Sequence, residues 1–192
     1  MTDNIYAAST IDLETEIDST KEESFYVVST KKLTLLFIFT MGIYALYWHY
    51  KNWSQYKKLH DQDIWPVPRA IFSVFFTHAL FEHISLQLQD QQKTQWKYNL
   101  HATILVIANL ITNLSERLSY AEVGAPYTDV LGIALLPIIL WQLFRTQKLI
   151  NTVCGDANGE NNTKFTPLNY FWMALGLVLW ALVFISLYVI FQ

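Results

Sequence analysis

The chain has 192 residues, of which 53% are hydrophobic, 16% aromatic and 15% charged, with a net charge of -3. That length favours one domain, and the charged fraction is well below the roughly 25% of ordinary soluble domains, which points to a membrane protein. The small net charge excludes strong nucleic-acid binding, which requires a basic patch, and a single cysteine, Cys154, excludes an intrachain disulfide.

Residues 1–24 carry Asp3, Asp12, Glu14, Glu16, Asp18, Glu22 and Glu23 against Lys21 alone. With few large apolar groups and no basic start before an apolar run, the stretch reads as a disordered acidic tail, not a signal peptide. Residues 25–192 then read as a single helical membrane domain. Residues 25–28 form a short apolar approach, and Ser29 or Thr30 is placed to cap the first helix.

No Lys, Arg, Asp or Glu lies between Lys32 and Lys51. That length predicts a first span over about 33–50. Tyr44, Tyr47, Trp48, Tyr50 and Trp53 read as its interfacial collar, with Lys51, Lys57 and Lys58 as a basic stop. Pro66 and Pro68 end the polar helix that follows and start another. The stretch 69–89 has an apolar core of only about 12 residues, which predicts a re-entrant or interfacial helix instead of a span. His78, Glu82, Ser85 and Gln89 share one stripe of it at helical spacing.

A second span is predicted over 100–116. Its polar groups His101, Asn109, Thr112, Asn113 and Glu116 fall on one face, which should point into the bundle; Glu116 and Arg117 mark its end. Gly124 and Pro126 make a turn. A third span covers 128–145 and contains Pro137, tolerated in membranes where neighbours satisfy the freed carbonyl. After a polar loop, Thr166 and Pro167 form a cap and first-turn pair for the last span, 168–191, which has no charged residue. The expected fold is therefore all-α and polytopic, with four transmembrane helices plus one re-entrant or interfacial helix. Four spans leave Lys21, Lys31, Lys32 and Arg117 on one face and the other nine basic residues opposite. This places both termini outside the cytoplasm.

The pattern K-L-x-L-L-x-x-x-T-x-G-x-Y-x-x-Y-W-x-Y-K-x-W, from Lys32 to Trp53, resembles a family of small multi-pass bacterial inner-membrane proteins of unknown function, sometimes loosely labelled permease. W-P-V-P-R-A-I-F-S-V-F-F-T-H-A-L-F from Trp65, N-L-S-E-R-L-S from Asn113, A-L-L-P from Ala134, C-G-D-A-N-G from Cys154 and L-N-Y-F-W from Leu168 are similar to the same kind of protein. The resemblance implies an inner-membrane location and assigns no activity, cofactor or functional residue.

His78, Glu82, His83 and His101 are metal-ligating types, but H-x-x-x-E-H is not a known zinc pattern, and no metal, cofactor or catalytic set is assigned. Asp156, Asn158, Glu160 and Asn162 alternate like calcium ligands, yet Asn161 and Pro167 stand where that loop needs Gly and Glu. The intramembrane polar candidates are His78, Glu82, His83, His101, Asn109, Asn113, Glu116 and Arg117. They serve either as a solute path or as hydrogen-bonding glue between helices. The expectation is a non-enzymatic accessory protein whose partners are the bilayer and itself or another membrane protein. The alternative is a subunit of a small-solute transporter or channel.

Overall fold

A computed structural model describes residues 24–91 and 95–190, with no side-chain description of Ile190. Apart from Ser24, the expected acidic tail lies outside these residues, as does Lys93. The described chain is all-α: seven helices and one 3-10 turn, with no strand among the described residues.

The expected span over 33–50 is two helices. In α1 (Thr30–Phe39) the Ser29 hydroxyl accepts from the Lys32 N–H at 3.3 Å, as an N-cap should. The helix stops where Thr40 donates its hydroxyl to the Leu36 carbonyl at 2.7 Å and Met41 and Gly42 take positive φ, 53° and 87°. Glycine enters this region freely; methionine rarely does. From there α2 (Tyr44–His60) runs back beside the residues that precede α1. Tyr26 N–H donates to Asn52 Oδ1 at 3.2 Å, and the Lys51 ammonium lies 5.6 Å from the Tyr26 ring centroid. The pair is a hairpin whose first arm, at 1.5 Å per residue, is about 15 Å long, half a hydrocarbon layer. Lys32 and Lys51, expected on opposite faces, lie on the same side. A charge-free run records apolar length but not a reversal of direction. The collar is corrected too: Trp48 and Trp53 are fully buried and Tyr44 nearly so, while Tyr47 and Tyr50 remain exposed.

A second reversal follows. α3 (Pro66–Ile71) starts on its proline and lies along α2, with the Arg69 guanidinium 4.3 Å from the Trp53 ring centroid. The helix expected over 69–89 breaks at Phe72, and α4 (Ser73–Asp90) turns back against α5. His78 Nε2 pairs with Thr103 Oγ1 at 3.1 Å, and one helical stretch later Gln87 donates to Ser24 Oγ at 2.5 Å.

The longest contact joins α5 (Tyr98–Tyr120) and α6 (Tyr127–Val153), which are antiparallel across the predicted turn at Gly124. The Ser115 hydroxyl donates to the Thr128 carbonyl at 2.7 Å near that turn, and His101 pairs with Gln142 at 2.8 Å near the other end. α7 (Pro167–Ile190) opens with the predicted cap: Thr166 and Asn169 exchange bonds, 3.0 and 3.3 Å. It leans on the tip of α1. A Cβ added at Gly176 would stand 1.5 Å from the Phe39 carbonyl oxygen, and Trp180 Nε1 donates to the Ile38 carbonyl at 2.8 Å. Among the described residues two helices are long and apolar enough to cross a membrane, α6 and α7, with mean hydropathies of 1.6 and 2.2.

The best-buried backbone is not helical. Residues 25–28 run extended through the bundle with Phe25 and Val28 fully enclosed. No neighbouring strand pairs with them, so side-chain amides do it. Gln147 Nε2 donates to the Tyr26 carbonyl at 2.9 Å, Asn162 Nδ2 to that of Val27 at 3.0 Å and Asn151 Nδ2 to that of Val28 at 3.0 Å. Gln147 Oε1 also accepts from Trp48 Nε1 at 2.6 Å. Buried backbone polar groups must find partners, and this clasp supplies them.

Candidate functional site

The tips of both hairpins and the α5–α6 pair, from its middle to its turn end, line an open cavity of about 410 Å³. Gly42 and Ile43 reach it from the first tip, and Ile71 and Ser73 from the second. α5 contributes Leu105, Asn109, Thr112, Asn113 and Glu116, and α6 contributes Asp129, Gly132, Leu136 and Ile139. The first tip packs against α6, with Leu136 3.2 Å from the Cβ position of Gly42.

α2 delivers His49 into this space. The residue is 4% exposed, and its Nδ1 is enclosed without a hydrogen-bond partner. Thr112 Oγ1, also on the cavity wall, is equally enclosed and unpartnered. A buried polar atom without a partner forfeits about 1–3 kcal/mol. Two of the three such atoms among the described residues belong to residues of this cavity wall; the third, Trp53 Nε1, lies away from it. The asparagines are half-satisfied. Asn109 Nδ2 donates to the Leu105 carbonyl at 2.8 Å and Asn113 Nδ2 to the Asn109 carbonyl at 2.7 Å, which leaves each Oδ1 available as an acceptor. Two carboxylates, Glu116 and Asp129, line the cavity, and Asp129 accepts from the Ser119 hydroxyl. No Lys or Arg lines it.

The other expected site residues separate from this group. His101 is spent on Gln142 and stacks on Trp96 at 5.8 Å. His78 is paired with Thr103. His83 stacks on Tyr56 with centroids 4.4 Å apart and hydrogen-bonds its hydroxyl at 3.2 Å. Burial holds the His83 imidazole below its ordinary value; Glu82 beside it pulls upward, and His60 and Arg69 push it down further. Glu82 and Arg117 are exposed. Among the described residues no three His, Cys, Asp or Glu side chains gather as a metal site. Of the eight candidates, Asn109, Asn113 and Glu116 converge on the cavity. His49 escapes the sequence reading because it sits inside the apolar run, where its only signal is being the lone histidine between Lys32 and Lys51.

Compared with family models, with curated proteins and with solved structures, the chain has no match.

Proposed function

We propose that the protein is a multi-pass bacterial inner-membrane protein that holds a small cationic or neutral hydrogen-bonding solute in the cavity between its hairpins, as a subunit of a transporter or channel. The observation that carries this reading is that residues of both helix breaks, Met41 to Ile43 from the first and Ile71 and Ser73 on either side of the second, line one cavity together with His49, whose Nδ1 is unpartnered. Broken backbone at membrane depth is tolerated where it is enclosed by protein or lines a polar cavity, and transporters build midplane sites from such interrupted helices. Two carboxylates and no Lys or Arg set the sign of the favoured solute.

In this reading α5, α6 and α7 cross the bilayer and the two hairpins enter from the N-terminal side. Every Lys and Arg except Arg117 then falls on that side, twelve of thirteen. This is a sharper bias than the nine-to-four division of a four-span arrangement, and it places the N-terminus in the cytoplasm. The resemblance to small inner-membrane proteins agrees with this location. The accessory-protein reading draws its support from α7, which is exposed along most of its length and anchored chiefly at Gly176 and Trp180.

The test is reconstitution of the full chain in proteoliposomes, with flux of small inorganic cations, methylated amines and neutral polyols followed in parallel. Flux of one solute class that is abolished in His49→Leu, reduced in Glu116→Gln and unchanged in Glu82→Gln supports the proposal. No flux of any class, together with a stable crosslinked membrane partner, turns the reading toward the accessory role.

A further inference from the structure

A second groove lies between α1–α2 and the start of α7, with a volume of about 490 Å³, and meets the first cavity at Ile43 and Leu46. Its two ends differ in chemistry. One end holds Lys32, Lys51, Tyr26 and Asn162; the other continues along Leu36, Ile43 and Trp172 toward the hairpin tip. No Asp or Glu lines it among the described residues.

Lys32 is the unusual member. It is 5% exposed, yet its ammonium meets only neutral acceptors, Asn162 Oδ1 and the Lys164 carbonyl, both at 2.6 Å. An ammonium has three donors and a full charge, so two carbonyl-type oxygens leave one donor and all of the charge without a counter-anion. Burial pushes the Lys32 ammonium below its ordinary value, as expected where the charge is not compensated. Lys51 stands across the groove over the Tyr26 ring. The apolar wall is open to the surroundings: Leu46, Leu168 and Trp172 are exposed.

We propose that this groove binds an acidic phospholipid, with the phosphate between Lys32 and Lys51 and an acyl chain along Leu36, Ile43 and Trp172. Charge complementarity selects the head and the exposed apolar wall selects the tail. A free phosphate uses only the polar end and leaves the wall bare. A zwitterionic lipid brings its own cation against two lysines. In the proposed orientation the lysines lie on the cytoplasmic face, where acidic lipids carry the surface charge. The site does not depend on what the central cavity binds.

The test uses the full chain purified in detergent and exposed to equal mole fractions of palmitoyl-oleoyl phosphatidylglycerol and phosphatidylcholine. Bound lipid is counted by native mass spectrometry. Wild type should retain phosphatidylglycerol in preference, and loss of each lysine charge should lower that preference roughly fivefold. Lys51→Gln is the primary variant because Lys51 is only half buried, and Lys51→Arg should restore the preference while showing that the fold persists. Lys32→Gln should lower it as well, with helicity checked by circular dichroism. Equal retention of the two lipids by wild type overturns the proposal, as does a preference unchanged in Lys51→Gln. Displacement of the bound lipid by millimolar inorganic phosphate overturns the lipid assignment in favour of a free-anion site.

Discussion

The protein uses the same kinds of side chain in two places to opposite ends. Around residues 25–28, Asn52, Gln147, Asn151 and Asn162 place their amides against backbone and ring groups, and each bond is matched. One helical turn from Asn52, His49 is nearly as deeply enclosed, and on α5 Thr112 is partly buried; His49 Nδ1 and Thr112 Oγ1 match nothing. Satisfied buried networks rigidify a fold, whereas unsatisfied groups are a standing loss that folding alone does not explain. Burial and polarity do not separate a structural polar residue from a functional one; an unmet hydrogen bond on a cavity wall marks a candidate, whereas Trp53 Nε1, equally unmet, lies in the packed core away from the cavity.

The comparison is broken most severely by Gln147→Leu. The change removes the acceptor for Trp48 Nε1 and the donor to the Tyr26 carbonyl and to Asn151 Oδ1, 2.7 Å away. Leaving two or three enclosed groups unmatched should cost about 3–6 kcal/mol. The check is loss of monodisperse protein and a large fall in thermal midpoint in detergent.

Next in size is Gly176→Ala, because its methyl would overlap the Phe39 carbonyl and force α7 off the hairpin tip. Overpacking of this kind costs about 1–3 kcal/mol. Removal of the indole donor in Trp180→Phe should be milder, since it takes away a single bond to the Ile38 carbonyl. Thermal midpoints of the two variants compared side by side give the order.

Acidification should have a smaller effect through His83. Its folded value lies below the ordinary one of 6.5, chiefly because of burial. The unfolded chain therefore binds the proton first, and stability present above about pH 6.5 is lost as the pH falls through and below that value. A His83→Gln variant should flatten the dependence of thermal midpoint on pH between about 7 and 5, a window set by the ordinary histidine value.

The smallest stability effect is expected at the site itself. His49→Leu removes an imidazole whose Nδ1 bonds to nothing, so stability should change by less than about 1 kcal/mol or rise, while solute handling is lost. A large destabilisation in that variant would move His49 to the structural side of the comparison.

Much of this was legible in the residues, for identifiable reasons. Caps and breaks are local chemistry, so Ser29 as one of two cap candidates, Pro66 and the Thr166 cap are readable from the residues, whereas the answering bond from Asn169 is not. The uninterrupted apolar run that became α7 was readable from length. The polar face of α5 was readable in part: Asn109, Asn113 and Glu116 line the cavity, but Asn113 and Glu116 are exposed where the periodicity expected them to point into the bundle. Direction was not readable. Thr40, Met41 and Gly42 reverse the chain within an apolar run, and a single glycine does not announce a hairpin when apolar residues flank it. Trp48 and Trp53 were misplaced at an interface for the same reason: once α2 folds back, their rings face the bundle, where Trp48 finds Gln147, 99 residues away. The clasp depends on such distant pairings and leaves no periodic trace.

The most direct test of the central distinction is thiol access at Thr112. In a Cys154→Ser background, Thr112→Cys should react with a small cationic methanethiosulfonate about tenfold faster than with an anionic one of similar size, since two carboxylates and no Lys or Arg line the cavity. Asn151→Cys, placed in the satisfied clasp, should react with neither while the protein stays folded. If Thr112→Cys is inert to both reagents, or reacts faster with the anion, the cavity is not a site for a cationic or neutral polar solute and the account fails.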